Sequence, residues 1–166
     1  MLELTLKYGS FETNFTGLTF AYFGLCVARR NLKGEAYRYG RLAEMISEKE
    51  NPLGRQAIAF YNYEMRHLRN HMRGGRKILK DISLTTMQED EVENISFQVG
   101  AYLSSMLYTG TALSPEDSVL ELYDQKRKQF DLPGNWNVVG LYNTLVKLRG
   151  ENSKLMKRKY VEERAF

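Results

Sequence analysis

Apolar residues recur every three or four positions through most of the chain, the spacing that places them on one side of an α-helix. No block with the alternating pattern of β-strands interrupts this series. The pattern therefore predicts an all-α fold with about seven helices. We place these helices at about residues 14–30, 34–48, 53–72, 75–88, 91–109, 114–130 and 135–149.

The first predicted helix is apolar around most of its circumference, so we expect it to be buried between neighbouring elements. Cys26 lies in this helix, and we expect its side chain to be buried as a small hydrophobic group. Gly17 and Gly24 lie one heptad apart on one face. Because glycine costs a helix about 1 kcal/mol relative to alanine, we predict that another backbone approaches the helix closely there.

A tyrosine in apolar surroundings recurs at Tyr22, Tyr61, Tyr102 and Tyr142, in steps of 39, 41 and 40 residues. A period of about 40 residues is typical of arrays of stacked helical hairpins. We therefore predict a right-handed stack of antiparallel helical hairpins, a tetratricopeptide-like α-solenoid. The helices would pair as first with second, third with fourth and fifth with sixth, and the seventh would open an incomplete fourth hairpin.

Proline and glycine mark the predicted helix ends. Asn51-Pro52 stops the second helix, because a residue before proline is pushed out of the α region. Gly74-Gly75 is predicted to end the third helix in the left-handed conformation. Ser114-Pro115 followed by two acidic residues is the clearest helix start in the chain.

We divide the chain into an N-terminal lead-in (1–13), a helical repeat domain (14–149) and a charged C-terminal tail (150–166). The first residues lack the basic-then-apolar order of a secretory signal. The longest apolar run, Leu18–Ala28, has about half the length needed to span a bilayer. We therefore expect an intracellular, cytoplasmic protein.

Composition narrows the possible functions only slightly. The content of 43% hydrophobic and 27% charged residues is ordinary for a globular protein. The net charge of +4 is mildly basic and does not by itself indicate nucleic-acid binding. The single cysteine cannot form an internal disulfide and favours a reducing compartment.

The segment Gly34–Ala43, together with the preceding helix around Phe20–Leu25, resembles the tetratricopeptide-like helical region of large multidomain signalling proteins. These proteins combine serine/threonine-kinase-like, AAA-type ATPase, GAF and histidine kinase domains with the helical region. The resemblance extends over residues 15–148. It implies a scaffold or regulatory linker without chemistry of its own, and it implies that any catalytic domains lie outside this chain.

Motifs of common catalytic sites are absent from the sequence. Gly74-Gly75-Arg76-Lys77 lacks the spacing and the hydroxyl of a phosphate-binding loop. There is no nucleophile elbow, kinase signature set or His-Glu-x-x-His motif. His67 and His71 have the i, i+4 spacing at which two imidazoles on a helix can share a metal, but no third ligand is evident. We therefore expect neither a metal nor a cofactor.

The best candidate binding site is a group of six basic residues at the turn between the third and fourth helices. Such a cluster can hold a phosphate, an acidic peptide or nucleic acid. The alternative is an ordinary solvated helix face, balanced by the acidic stretch that follows. The six residues are Arg66, Arg69, Arg73, Arg76, Lys77 and Lys80.

The preferred hypothesis is a non-catalytic helical-repeat scaffold that mediates protein–protein or interdomain interaction in signal transduction. Its partner would be another domain of the same polypeptide or a signalling protein, bound through apolar anchors with a charged rim. One alternative is a basic helical module that binds an acidic partner or nucleic acid. The other is a helical enzyme with an unrecognised site, which a pocket with converging titratable groups would favour. We do not expect nucleic acid or a membrane as the partner.

Overall fold

The computed structural model describes residues 7, 13–110, 118–130, 138, 140, 141 and 144. These residues contain helices and turns but no strand, which confirms the predicted all-α class. Six α-helices follow one another along the described chain. They are α1 (Thr13–Arg29), α2 (Lys33–Ile46), α3 (Pro52–Phe60), α4 (Arg76–Gln88), α5 (Val92–Tyr108) and α6 (Ser118–Gln129).

Some predictions concern parts of the chain beyond this description. Of the seventh predicted helix, only residues 138, 140, 141 and 144 are described, and each is helical. The lead-in over 1–13 is described only at Lys7 and Thr13. Outside the described residues lie the Ser114-Pro115 helix start, Tyr142 and the charged tail 150–166.

Glycines let α1 and α2 pack closely as an antiparallel hairpin. A Cβ atom added to Gly24 would lie 2.6 Å from the Met65 sulfur and 3.2 Å from the Ala36 carbonyl oxygen. A Cβ atom on Gly17 would overlap the Ser47 hydroxyl and lie 3.3 Å from the Ala43 carbonyl oxygen. The predicted close approach of a second backbone at Gly17 and Gly24 is confirmed.

The remaining helices build on this hairpin. α3 packs against both α1 and α2, and α4 pairs with α5 across a short turn. At the centre of the second pair, the Ser83 hydroxyl donates to the Gln98 carbonyl oxygen at 3.0 Å. We predicted that the fifth helix pairs with the sixth, but in the structure α6 packs mainly against α4. The buried residues of α6, Val119, Leu120 and Tyr123, belong to one hydrophobic cluster with residues of α4 and α5.

Left-handed residues end three of the helices. Asn31 (φ 64°) follows α1, Asp90 (φ 56°) follows α4, and Gly110 (φ 56°) follows α5. This conformation lets the next amide turn back toward the helix, so that the Leu32 N–H donates to the Val27 carbonyl oxygen at 3.3 Å. Asn31 and Gly110 thus lie at the breaks predicted between residues 30 and 34 and after residue 109.

The third predicted helix differs from the prediction over its second half. The Asn51 side chain caps its start by accepting from the Leu53 N–H at 2.9 Å, and Pro52 occupies the first turn. After Phe60 the helix widens into a π-helical turn, Tyr61–Met65, and ends with a 3₁₀ turn, Arg66–Leu68. It therefore stops at Leu68 and not at residue 72. Tyr61, Asn62 and Met65 are buried in this wide turn.

Gly74-Gly75 does not end this helix in the left-handed conformation, as the sequence predicted. Met72–Gly75 is a 3₁₀ turn that leads into α4, and Gly75 has φ −88° and ψ −16°. Close packing favours glycine at both positions, although at Gly74 the neighbour is the end of a flexible side chain. A Cβ atom on Gly75 would lie 2.8 Å from the Asn62 side-chain oxygen, and one on Gly74 would lie 2.9 Å from the Arg66 guanidinium.

The recurring tyrosines do not occupy equivalent environments. Tyr22 is 43% exposed, whereas Tyr61 is 1% and Tyr102 is 3% exposed. The period therefore does not identify equivalent positions, and the right-handed solenoid stays a prediction.

The first helix is less buried than the sequence predicted. α2 and α3 cover one side of it, while Phe15, Tyr22 and Cys26 are exposed on another. The prediction that Cys26 is buried is wrong, since its side chain is exposed.

Candidate functional site

A row of aromatic rings runs across helices α1, α3 and α5, with the Phe60 ring buried between the other two. The Tyr22 ring lies against the Phe60 ring with centroids 4.8 Å apart, and the Phe60 ring lies against Phe97 with centroids 4.6 Å apart. The ring planes are tilted by 54° in the first contact and by 32° in the second. Each ring comes from a different helix, so the row crosses all three helices.

The exposed part of this row lies on α1. Phe15, Tyr22 and Cys26 are separated by seven and four residues, which places them on one side of the helix. All three are exposed. Single exposed apolar residues are ordinary, but several on one side of a helix beside an aromatic row are typical of an interaction surface. We call Phe15, Tyr22, Cys26, Phe60 and Phe97 the aromatic face.

An open cleft of about 550 Å³ begins one turn beyond Phe60. It lies between the π-helical turn, the chain that follows it and the end of α5. Its walls carry a carboxylate, two imidazoles, two phenols, an amide and a thioether. The lining residues are Tyr63, Glu64, His67, Asn70, His71, Met72 and Tyr108. We call it the Glu64 cleft.

The local fold holds the cleft walls in place. The His71 Nδ1 atom accepts from the Arg73 N–H at 3.1 Å and so caps the turn Met72–Gly75. The Arg73 guanidinium donates to the Thr109 carbonyl oxygen at 3.1 Å, at the negative end of the α5 dipole. These two bonds tie the His71 wall to the end of the helix that carries Tyr108.

A pair of tyrosines supports the other side of the same segment. The Asn70 side-chain amide donates to the Tyr37 hydroxyl at 2.6 Å, and the Arg69 guanidinium lies 5.7 Å from the centroid of the Tyr37 ring. A hydrogen bond from the Tyr61 hydroxyl, supported by Asn70, lowers the pKa of Tyr37. Burial raises the pKa of Tyr61. Asn70 thus connects the Glu64 cleft to α2.

Glu64 is the acidic side chain of the cleft. Burial raises the pKa of its carboxyl group, while the positive charges of His67 and Arg29 act in the opposite direction and do not cancel the effect. The ionised carboxylate is therefore stabilised less by the protein than it would be by water. Such a group in a cleft marks a candidate binding site.

The structure divides the six predicted basic residues among several contacts. Arg66 packs over Gly74 and donates to the Asn62 side-chain oxygen at 3.3 Å. Arg69 contacts α2 through the Tyr37 ring, and Arg73 binds the end of α5. The other three lie on α4, where Lys77 is exposed and Arg76 and Lys80 are half-buried. Binding of an acidic partner by these six residues stays a prediction.

The two histidines are not related as the sequence suggested. His67 lies in the 3₁₀ turn that ends the third helix, whereas His71 lies beyond that turn and caps the next one. They therefore do not share a helix face at i, i+4. Within the described ranges, no group of three or more histidine, cysteine, aspartate or glutamate side chains has the arrangement of a metal site.

Sequence reasoning did not identify the Glu64 cleft. The available signal was a carboxylate in a stretch that also carries the aromatic residues Phe60, Tyr61 and Tyr63. The contribution of Tyr108 had no such signal, because it depends on how α5 ends beside the turn at Arg73.

Among the described helices, none is both long enough and apolar enough to cross a membrane. Comparisons with protein-family models, with curated proteins and with solved structures gave no match to this chain. The resemblance to the helical region of multidomain signalling proteins therefore stays a prediction.

Proposed function

We propose that this chain is a non-catalytic helical scaffold that binds a segment of a protein partner on its aromatic face. The observation that carries the proposal is the row Tyr22–Phe60–Phe97, which crosses three helices and has an exposed end on α1. Aromatic side chains are enriched among the residues that dominate protein–protein affinity. The partner would be a signalling protein or another domain of the same polypeptide.

The geometry of the face suits an elongated apolar segment. Phe15, Tyr22 and Cys26 extend along α1, while Phe97 continues the surface onto α5. An amphipathic helix bound in such a groove would use apolar anchors at i, i+3 or i+4 and i+7. Glu64 and Arg29, near one end of the face, would supply part of a charged rim.

One observation favours the alternative that this chain is a helical enzyme, because titratable side chains line the Glu64 cleft together. A hydrolytic or transfer reaction would also need a nucleophile held by a base and donors that stabilise the developing charge. His67 and His71 are exposed, and the one described hydrogen bond of His71 is used to cap a turn. The cleft therefore supports binding better than catalysis.

Selection from random peptides tests the proposal whatever the natural partner is. Peptides of about 16 residues, long enough for four turns of helix, would be selected from a random phage library on the purified full chain. Hydrogen–deuterium exchange would then locate the selected peptide. We expect amide protection in α1, α3 and α5. Protection confined to α2 and α4 would contradict the proposed binding face.

A further inference from the structure

The Glu64 cleft differs from the aromatic face in its chemistry. Its lining includes the half-buried Glu64 carboxylate and the phenol rings of Tyr63 and Tyr108. The thioether of Met72 adds a polarisable apolar surface. A carboxylate with aromatic walls is the combination that recognises an alkylammonium group, since the charge meets the carboxylate and the methylenes and charge meet the rings.

The groups near Glu64 do not fully compensate the charge of its carboxylate. His67 and Arg29 act to lower the pKa of its carboxyl, and Arg73 binds the Thr109 carbonyl oxygen. Burial nevertheless outweighs the effect of His67 and Arg29 on the carboxyl. His71 uses Nδ1 as an acceptor, so it adds no donor to the carboxylate from that atom. The protein therefore stabilises the ionised Glu64 carboxylate incompletely, and a bound cation would stabilise it further.

We propose that the Glu64 cleft binds the ammonium group of a lysine side chain in the segment that docks on the aromatic face. The cleft begins one turn beyond Phe60, so a single bound segment can reach both. This inference rests on the proposed function for the source of the lysine. The recognition of an ammonium group by Glu64 does not depend on the proposed function.

Nuclear magnetic resonance titration tests the ammonium site directly. The probe is N-acetyl-lysine-N′-methylamide, and the matched neutral probe is the norleucine analogue, which lacks only the ammonium group. We expect the lysine probe to give saturable shifts at the amides of His67, Asn70 and Tyr108, and the norleucine probe to give none. Equal responses to the two probes would overturn the proposal.

Variants test whether the Glu64 carboxylate binds the ammonium group of the lysine probe. Glu64→Gln preserves the shape and removes the charge, and we expect it to weaken binding of the lysine probe about tenfold. Glu121→Gln, at an exposed position on α6, is the control and should leave binding unchanged. Tyr108→Ala should also weaken binding, and since Tyr108 is exposed, the fold does not depend on it. Identical affinity of wild type and Glu64→Gln would contradict the inference.

A free diamine distinguishes the two sources of an ammonium group. If cadaverine shifts the same amides less strongly than the capped lysine does, a peptide side chain is the ligand. If cadaverine saturates the cleft at lower concentration, the link to a docked segment is wrong, although the ammonium site is confirmed. If the aromatic face does not bind the partner segment, replacing Tyr22 would leave peptide binding unchanged. That result is independent of the outcome at the ammonium site.

Discussion

Arg55 and Glu91 form an ion pair that joins the start of α3 to the turn before α5, 36 residues further along the chain. The Arg55 side chain is only 1% exposed, and Glu91 is 11% exposed. The same guanidinium also pairs with Glu89, and it donates to the Lys49 carbonyl oxygen at 2.8 Å and to that of Glu50 at 3.2 Å. One buried arginine thus connects three segments of the fold.

Glu91→Gln should therefore destabilise the protein strongly. Removing one partner of a buried pair leaves the remaining charge incompletely compensated, and we expect a loss of about 3 kcal/mol in the free energy of unfolding. Glu89→Gln is the matched control, because Glu89 is 50% exposed and its pair is worth less than about 1 kcal/mol. Urea denaturation measures both. Equal losses in the two variants would show that burial of the pair is not decisive.

Gly54 is a position where a methyl group cannot be accommodated. A Cβ atom there would overlap the Glu48 carbonyl oxygen and lie 2.9 Å from the Glu48 nitrogen. Because these are backbone atoms, Gly54→Ala should destabilise the protein by about 1–3 kcal/mol even though alanine favours a helix.

Gly140→Ala provides the comparison for this glycine. Gly140 is helical and exposed, and a Cβ atom there would have no described neighbour within 4 Å. We expect a gain of up to about 1 kcal/mol from helix propensity alone. Thermal unfolding of both variants measures the two effects. Stabilisation by Gly54→Ala would contradict the described packing at the start of α3.

Glu64 should reduce stability at neutral pH. Burial raises the pKa of its carboxyl group above the ordinary value of 4.5, so the folded state holds this proton more tightly than the unfolded state. This group's contribution to stability is then fully present below the unfolded pKa, and it is lost as the pH rises through the folded pKa.

Glu64→Gln removes this titration, so we expect the variant to melt at a higher temperature than wild type at pH 7. The difference should shrink as the pH falls toward 4, where the wild-type carboxyl is protonated. Melting curves between pH 4 and 8 measure the effect. A constant difference across that range would indicate that the carboxyl pKa is not raised.

The sequence allowed the helices to be predicted because their signals are local. The stripe containing Ala36 and Ala43 is buried as the helical period requires, and Asn51-Pro52 both ends one turn and starts α3. The π-helical turn at Tyr61 could not be predicted in this way, since periodicity assumes 3.6 residues per turn throughout.

The candidate sites depended on contacts between distant residues. Arg55 looks like an ordinary surface arginine in the sequence, because its acidic partners lie 34 and 36 residues away. Tyr108 likewise reaches the Glu64 cleft only through the docking of α5 beside the turn at Arg73. The basic cluster was visible in the sequence, but the contacts that divide Arg66, Arg69 and Arg73 among separate elements were not.

The central claim is that the aromatic face binds a protein segment, and the affinity of a selected peptide for two charged variants tests it most directly. Tyr22→Glu places a charge on the face, whereas Met45→Glu places the same charge on a 69% exposed apolar side chain of α2. Unfolding by urea would confirm that both variants are folded. We expect Tyr22→Glu to weaken peptide binding about tenfold or more, and Met45→Glu to leave it unchanged. Equal affinity of the folded Tyr22→Glu variant and wild type would contradict the proposed function.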